Sequence, residues 1–154
     1  MRHGENAILF AKHGRDVWGI DAAPLAIQKA KKKAKERRST ARFIVGDALR
    51  LEILGEKFDT ITDCGLFHIF SDDERPIFAR SLRSGLKVGG SYFMLCFGDK
   101  EPASWGGPRR VTRQEITETF RDGWVVNWIR EAKIETSFHE HGGCAWLSSV
   151  TSRR

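Results

Sequence analysis

Apolar positions along this chain alternate between helical spacing and short extended runs. Residues 5–13 have helical spacing, with Ile8, Leu9 and Phe10 apolar and Gly14 as a stop. Residues 16–21 read as a short strand. Pro24 then opens a helix through about residue 38, in which Leu25, Ile27, Ala30 and Ala34 are expected to face inward and the lysines outward. Residues 41–46 and 58–64 are the next strands, with Asp47 and Ala48 in the turn after the first.

Further along, Ser71 and Glu74 have capping-box spacing, and Phe78, Leu82 and Leu86 recur every four residues, so a helix is expected there. Val88, Gly89 and Gly90 form a turn into the strand 91–97, apolar enough to be buried on both faces. Residues 98–111, with five glycines and prolines in Gly98, Pro102, Gly106, Gly107 and Pro108, read as a long loop of the kind used for lids or binding. Thr112 and Glu115 form a second capping box, and Val111 with Ile116 has the spacing of a hydrophobic staple. The resulting helix ends near Gly123. Residues 124–138 and 145–150 are the last strands, joined through 139–143 as an antiparallel hairpin. The alternation predicts an α/β fold, a mostly parallel sheet with helices on both faces.

A chain of 154 residues, 40% hydrophobic, buries one core of ordinary size, so a single domain over 1–154 is expected. No apolar run approaches the ~20 residues of a membrane span, and no secretory signal is visible. Cys64, Cys96 and Cys144 are odd in number and widely spaced, which fits reduced thiols in a cytoplasmic protein better than a disulfide framework. The net charge of +6 gathers in Lys29, Lys31, Lys32, Lys33, Lys35, Arg37 and Arg38, the solvated face of one helix; nucleic acid is not an expected partner. His139, His141 and Cys144 alternate on one strand face, but a fourth ligand is missing, so no metal site is expected.

Asp21, Asp47 and Asp63 all fall at the carboxyl ends of expected strands, the edge at which open α/β sheets bind ligands. Gly4 opens the first helix, and Asp21 follows it at about the spacing of a ribose-binding acid.

With Gly-Glu-Asn-Ala at 4–7, Val-Trp-Gly-Ile-Asp at 17–21, Gly-Asp-Ala-Leu at 46–49, Phe-Asp-Thr-Ile-Thr-Asp-Cys-Gly-Leu-Phe-His at 58–68 and Leu-Lys-Val-Gly-Gly at 86–90, the chain resembles the class I methyltransferases that use S-adenosylmethionine. The resemblance implies a Rossmann-like fold and a role for each of these positions. Gly4 would be the last glycine of the loop beneath the methionine part of the cofactor. Asp21 would accept the ribose hydroxyls, and Asp47 and Ala48 would meet the adenine. Asp63 and Cys64 would lie beside the methionine and sulfonium. It also implies a small acceptor, aromatic or heteroaromatic, methylated on O, N or S.

Such chemistry asks mainly for alignment and exclusion of water. Phe67, Phe70, Phe97 and Trp105 are candidate walls of an acceptor pocket, and His68 is the candidate base. Each has a plainer reading as well: Asp21 and Asp47 as turn acids, His68 as a packed histidine, Cys64 as a small buried residue.

The family pattern begins with a strand ending in an acid and a loop of alternating glycines, of which only Gly4 has a counterpart. The chain is therefore expected to lack the first strand, to be N-terminally truncated. In the family's sheet that strand lies between those ending at Asp21 and Asp63. Direct pairing of its neighbours, a homodimer through the exposed edges, or a start upstream of Met1 would each answer the gap. The competing reading is a degenerate, non-catalytic methyltransferase fold acting as a binding or interaction protein.

Overall fold

The computed structural model describes residues 4–102, 106–136 and 139–153. The chain divides into two compact units, residues 1–51 and 52–154. Its strands form two sheets, one in each unit.

In the first unit, α1 (Glu5–Lys12) follows Gly4, which takes the left-handed conformation. Strand β1 (Trp18–Asp21), helix α2 (Pro24–Glu36) and strand β2 (Arg42–Val45) complete it. Proline is favoured at the start of α2 because its fixed φ suits a helix and its missing N–H would have no partner there. The two strands pair in parallel, Trp18 opposite Arg42 and Asp21 opposite Val45. Ile8, Ile27, Ala30, Ala34 and Phe43 form the core. Leu25, expected to face inward, is 60% exposed. It lies two positions from Ile27, or about 200° around the helix, so the two cannot share a face. Part of the basic run is structural: Glu5 accepts from Lys33 Nζ at 2.8 Å and Arg37 Nη1 at 2.6 Å, tying α1 to α2.

In the second unit, β3 (Phe58–Cys64) pairs in parallel with β4 (Leu86–Phe97). The long hairpin of β5 (Trp124–Thr136) and β6 (His139–Ser152) extends the sheet antiparallel, in the order β3-β4-β6-β5. Helices α3 (Glu74–Gly85) and α4 (Arg113–Thr119) flank it. The Rossmann-like α/β class and the C-terminal hairpin read from the sequence are both present. The hairpin's bend is displaced: Ile134 already pairs with Gly143 and Thr136 with His139, so 139–143 belong to the strand. Pairing of the strand ending at Asp21 with the one ending at Asp63 is not formed among the described residues.

Strand β4 starts at Leu86, before the turn expected at Val88, and passes through Gly89 at φ 80° with a shift in its register to β3. Burial along it alternates. Tyr92, Met94 and Cys96 are sealed, whereas Ser91, Phe93 and Leu95 are half-buried, so only one face lies wholly in the core. Phe78 and Leu82 of α3 cover that face with Phe120, in an aromatic cluster where Phe78 meets Tyr92 edge-on at 5.9 Å.

Candidate functional site

In the first unit the two exposed acids stand at the carboxyl ends of neighbouring parallel strands, with Gly46 N–H donating to Asp21 O at 3.1 Å. Each carboxylate spends Oδ1 on its own turn: Asp21 accepts from Ala23 N–H at 2.8 Å, and Asp47 from Leu49 N–H at 2.9 Å. These Asx-type turns leave the other oxygen of each acid without a protein partner among the described residues. Such a pair suits hydroxyl and amine donors. Ala48, half-buried, opens the short 3₁₀ segment Ala48–Leu54. At Gly4, φ is 75° and a Cβ would lie 2.9 Å from both Ala30 Cβ and the Phe43 ring. Glycine is needed there for backbone conformation and for close packing alike.

In the second unit, Asp63 ends β3 with both oxygens engaged inward. Tyr92 Oη donates to Oδ2, and Leu66 N–H donates to Oδ1 at 2.9 Å. Burial pushes the carboxyl up to about 6, against these hydrogen bonds, which pull it down. Beside it, burial and the Asp63 charge push the Cys64 thiol up, and Cys96 is driven to about 12 by the same two effects in that order. Neither thiol is disposed to ionise at neutral pH.

His68 lies in the 3₁₀ turn Phe67–Ile69 and is buried. Its Nδ1 accepts the Phe97 backbone N–H at 3.1 Å, and its ring stacks on Phe97 with centroids 5.1 Å apart. Burial, then the Arg110 charge, hold the imidazole down at about 4. Phe67 and Phe70 are packed into the aromatic core, Phe67 5.9 Å from Phe120 and Phe70 4.7 Å from Phe78. Trp105 lies outside the described residues.

Arg75 was not foreseen. It is 3% exposed, lies over the Phe67 ring at 5.0 Å and donates to Glu115 Oε1 at 2.8 Å. Its Nε and Nη2 are buried without partners. Arg109 joins the same Glu115 oxygen and reaches Asp72 Oδ1 at 2.7 Å. The signal was in the spacing, since positions 75, 78 and 82 fall on one helical face, but a charged residue at a core position reads as surface.

A cavity of about 300 Å³ lies on the hairpin side of this unit, between Gly98, Lys100, Lys133, Cys144 and Trp146, and includes none of the residues expected to bind cofactor or acceptor. Among the described residues, no group of three or more histidine, cysteine or acidic side chains is placed to hold a metal ion, and no helix is long and apolar enough to cross a membrane.

Residues 2–90 match the family described as a methyltransferase domain. The chain belongs to that family. This methyltransferase domain is 34% identical over 131 residues to the 2-heptyl-1-hydroxyquinolin-4(1H)-one methyltransferase of Mycobacteroides abscessus, covering 83% of the present chain and 57% of that protein. The chain thus spans little more than half the length of that relative. It superposes with a TM-score of 0.88 and 28% identity on a structure from work on conversion of a disulfide bond into a thioacetal group during echinomycin biosynthesis, covering 98% of this chain and 72% of that one. A S-adenosylmethionine-dependent methyltransferase from Methanosarcina mazei aligns at TM-score 0.83 and 17% identity, over 98% of this chain and 88% of its own. The fold is that of the class I S-adenosylmethionine-dependent methyltransferases.

Proposed function

We propose that the chain is a methyltransferase that moves a methyl group from S-adenosylmethionine to an O, N or S atom of a small aromatic or heteroaromatic acceptor. The observation that carries this reading is the pair of exposed carboxylates, Asp21 and Asp47, at the ends of two adjacent parallel strands, each with an oxygen to offer. In this reading Asp21 takes the ribose hydroxyls, and Asp47 with Ala48 the adenine. Gly4 lets backbone N–H groups of α1 approach the methionine end. When bound, the cofactor supplies an electrophilic methyl carbon on a sulfonium.

Asp63 fits a positioning role better than direct contact, because its oxygens are spent on Tyr92 and Leu66. It shapes the turn at Cys64 and Leu66 that we assign to the methionine side. Phe97 is the aromatic residue best placed to border an acceptor, since it stacks on His68 rather than within the cluster around Phe78. The family match crosses both units, which supports reading 1–154 as one methyltransferase-like domain. The Mycobacteroides relative, named for a hydroxylated quinolone, supports a heteroaromatic acceptor. Cys64, Cys96 and Cys144 are all free, as suits the cytoplasm.

Calorimetry with S-adenosylhomocysteine tests the reading. Binding at sub-millimolar concentration is expected, weakened about ten- to a hundredfold in Asp21→Ala, since hydrogen bonds to a charged group contribute about 1.5–3 kcal/mol. Absence of binding at millimolar concentration overturns it in favour of a non-catalytic methyltransferase fold.

A further inference from the structure

Resting on that reading, we propose that His68 serves the reaction as a hydrogen-bond donor, through Nε2–H, to an acceptor that arrives already ionised. The substrate class narrows accordingly to oxyanions and thiolates. Acidic phenols, N-hydroxylated heteroaromatics and thiols belong to it; aliphatic alcohols do not.

The geometry fixes the tautomer. A backbone N–H can only donate, so the 3.1 Å contact from Phe97 occupies the lone pair of His68 Nδ1. A neutral imidazole accepting at Nδ1 carries its proton on Nε2. The lone pair a general base would need is therefore spent on the backbone, and the nitrogen left over presents a proton. Stacking on Phe97 at 24° between ring planes holds the imidazole in that orientation.

Nε2 has no hydrogen-bond partner among the described residues. Nor is it among the side-chain atoms of the described residues that are sealed from solvent without a hydrogen bond. His68 also follows directly on the turn held by Asp63, at the carboxyl end of β3. The charged group bearing on the ring is Arg110, which donates to Pro108 O at 2.7 Å and Pro102 O at 2.8 Å. Its positive charge disfavours an imidazolium and favours an anion beside the neutral ring. The Nε2–H donor recognises the ionised form of the acceptor, and the protein takes no proton from it.

Long-range proton–nitrogen NMR of the chain labelled with ¹⁵N-histidine reads the tautomer without turnover. A neutral Nε2–H signal for His68, unchanged from pH 8 to about pH 5, is expected; an Nδ1–H tautomer, or titration near pH 6.5, overturns the proposal. Transfer rates to an aromatic thiol and to a 1-hydroxyquinolone are then followed against pH. The inflection is expected to track each acceptor's own ionisation, and one shared inflection for both overturns the donor role. His68→Gln, which keeps an N–H, is expected to stay within about tenfold of the parent in kcat/KM, and His68→Phe to lose a further tenfold or more, with S-adenosylhomocysteine binding unchanged in both. Equal losses overturn the proposal, as does a parent protein that binds S-adenosylhomocysteine yet methylates neither acceptor. Failure to bind S-adenosylhomocysteine sinks the methyltransferase reading instead, whatever tautomer the spectra show.

Discussion

Tyr92 devotes its only hydroxyl to the half-buried Asp63, and its own ring is sealed in an aromatic cluster. Removing that hydroxyl while leaving the ring strips one hydrogen bond from a carboxyl already raised to about 6 by burial. Tyr92→Phe is expected to cost about 1–3 kcal/mol in urea unfolding at pH 7 and to move the carboxyl higher still, as followed by carboxyl-carbon NMR. Asp63 was legible in the sequence because a strand pattern ends on it. Tyr92 was not, since what brings it to Asp63 is the parallel register of β3 and β4, which periodicity does not encode. His68 was legible as a candidate, but its partner was not: the group that occupies Nδ1 is a backbone amide, which is the same in every residue type.

Among elements, the junction of α1 with α2 and β2 depends on Gly4. Gly4→Ala combines a left-handed backbone with a Cβ 2.9 Å from Ala30 and Phe43, and is expected to cost about 2–5 kcal/mol. Gly14→Ala is the control: φ there is 76°, with open space around the added carbon, so about 1–2 kcal/mol is expected. Denaturant midpoints of the two variants check the difference. The strands and helices were readable from period and capping. The reciprocal box of Thr112 with Glu115 formed as read, with Glu115 N–H 3.1 Å from Thr112 Oγ1. Boundaries were less readable where pairing outweighs local signals: 139–143 contain turn-forming glycines yet are held in β6 by β5, and Leu86 enters β4 ahead of its glycines.

For the molecule as a whole, stability against pH follows from four shifted groups. Glu115 would be raised by burial, but hydrogen bonds from Thr112 and Arg75 bring it down to about 2, and Glu5 is lowered to about 2 by Lys33 and Arg37. Both are depressed carboxyls, so their stabilisation is complete above about 4.5 and is lost as pH falls towards 2. His68, lowered to about 4, favours the fold fully above 6.5 and loses that contribution as pH falls through 4. Asp63, raised to about 6, acts in the opposite sense, favouring the fold below 3.8 and losing that contribution as pH rises through 6. The last two oppose each other between about 4 and 6. Melting temperature is therefore expected to change little across that range and to drop steeply below about pH 4, as scanning calorimetry would record; Glu115→Gln should flatten the steep limb.

The carboxylate of Glu115 caps α4 and also neutralises a guanidinium that has almost no contact with solvent. Among the described residues, replacing Glu115 leaves the buried Arg75 with only Asp72, 3.6 Å away, whereas replacing Arg75 leaves Glu115 still held by Arg109 and Thr112. Positions 75 and 115 are thus linked in one direction: descendants of this sequence can leave the arginine–glutamate state readily by changing 75 first, since the glutamate keeps its other partners, whereas a change at 115 first is the intermediate that selection has to tolerate.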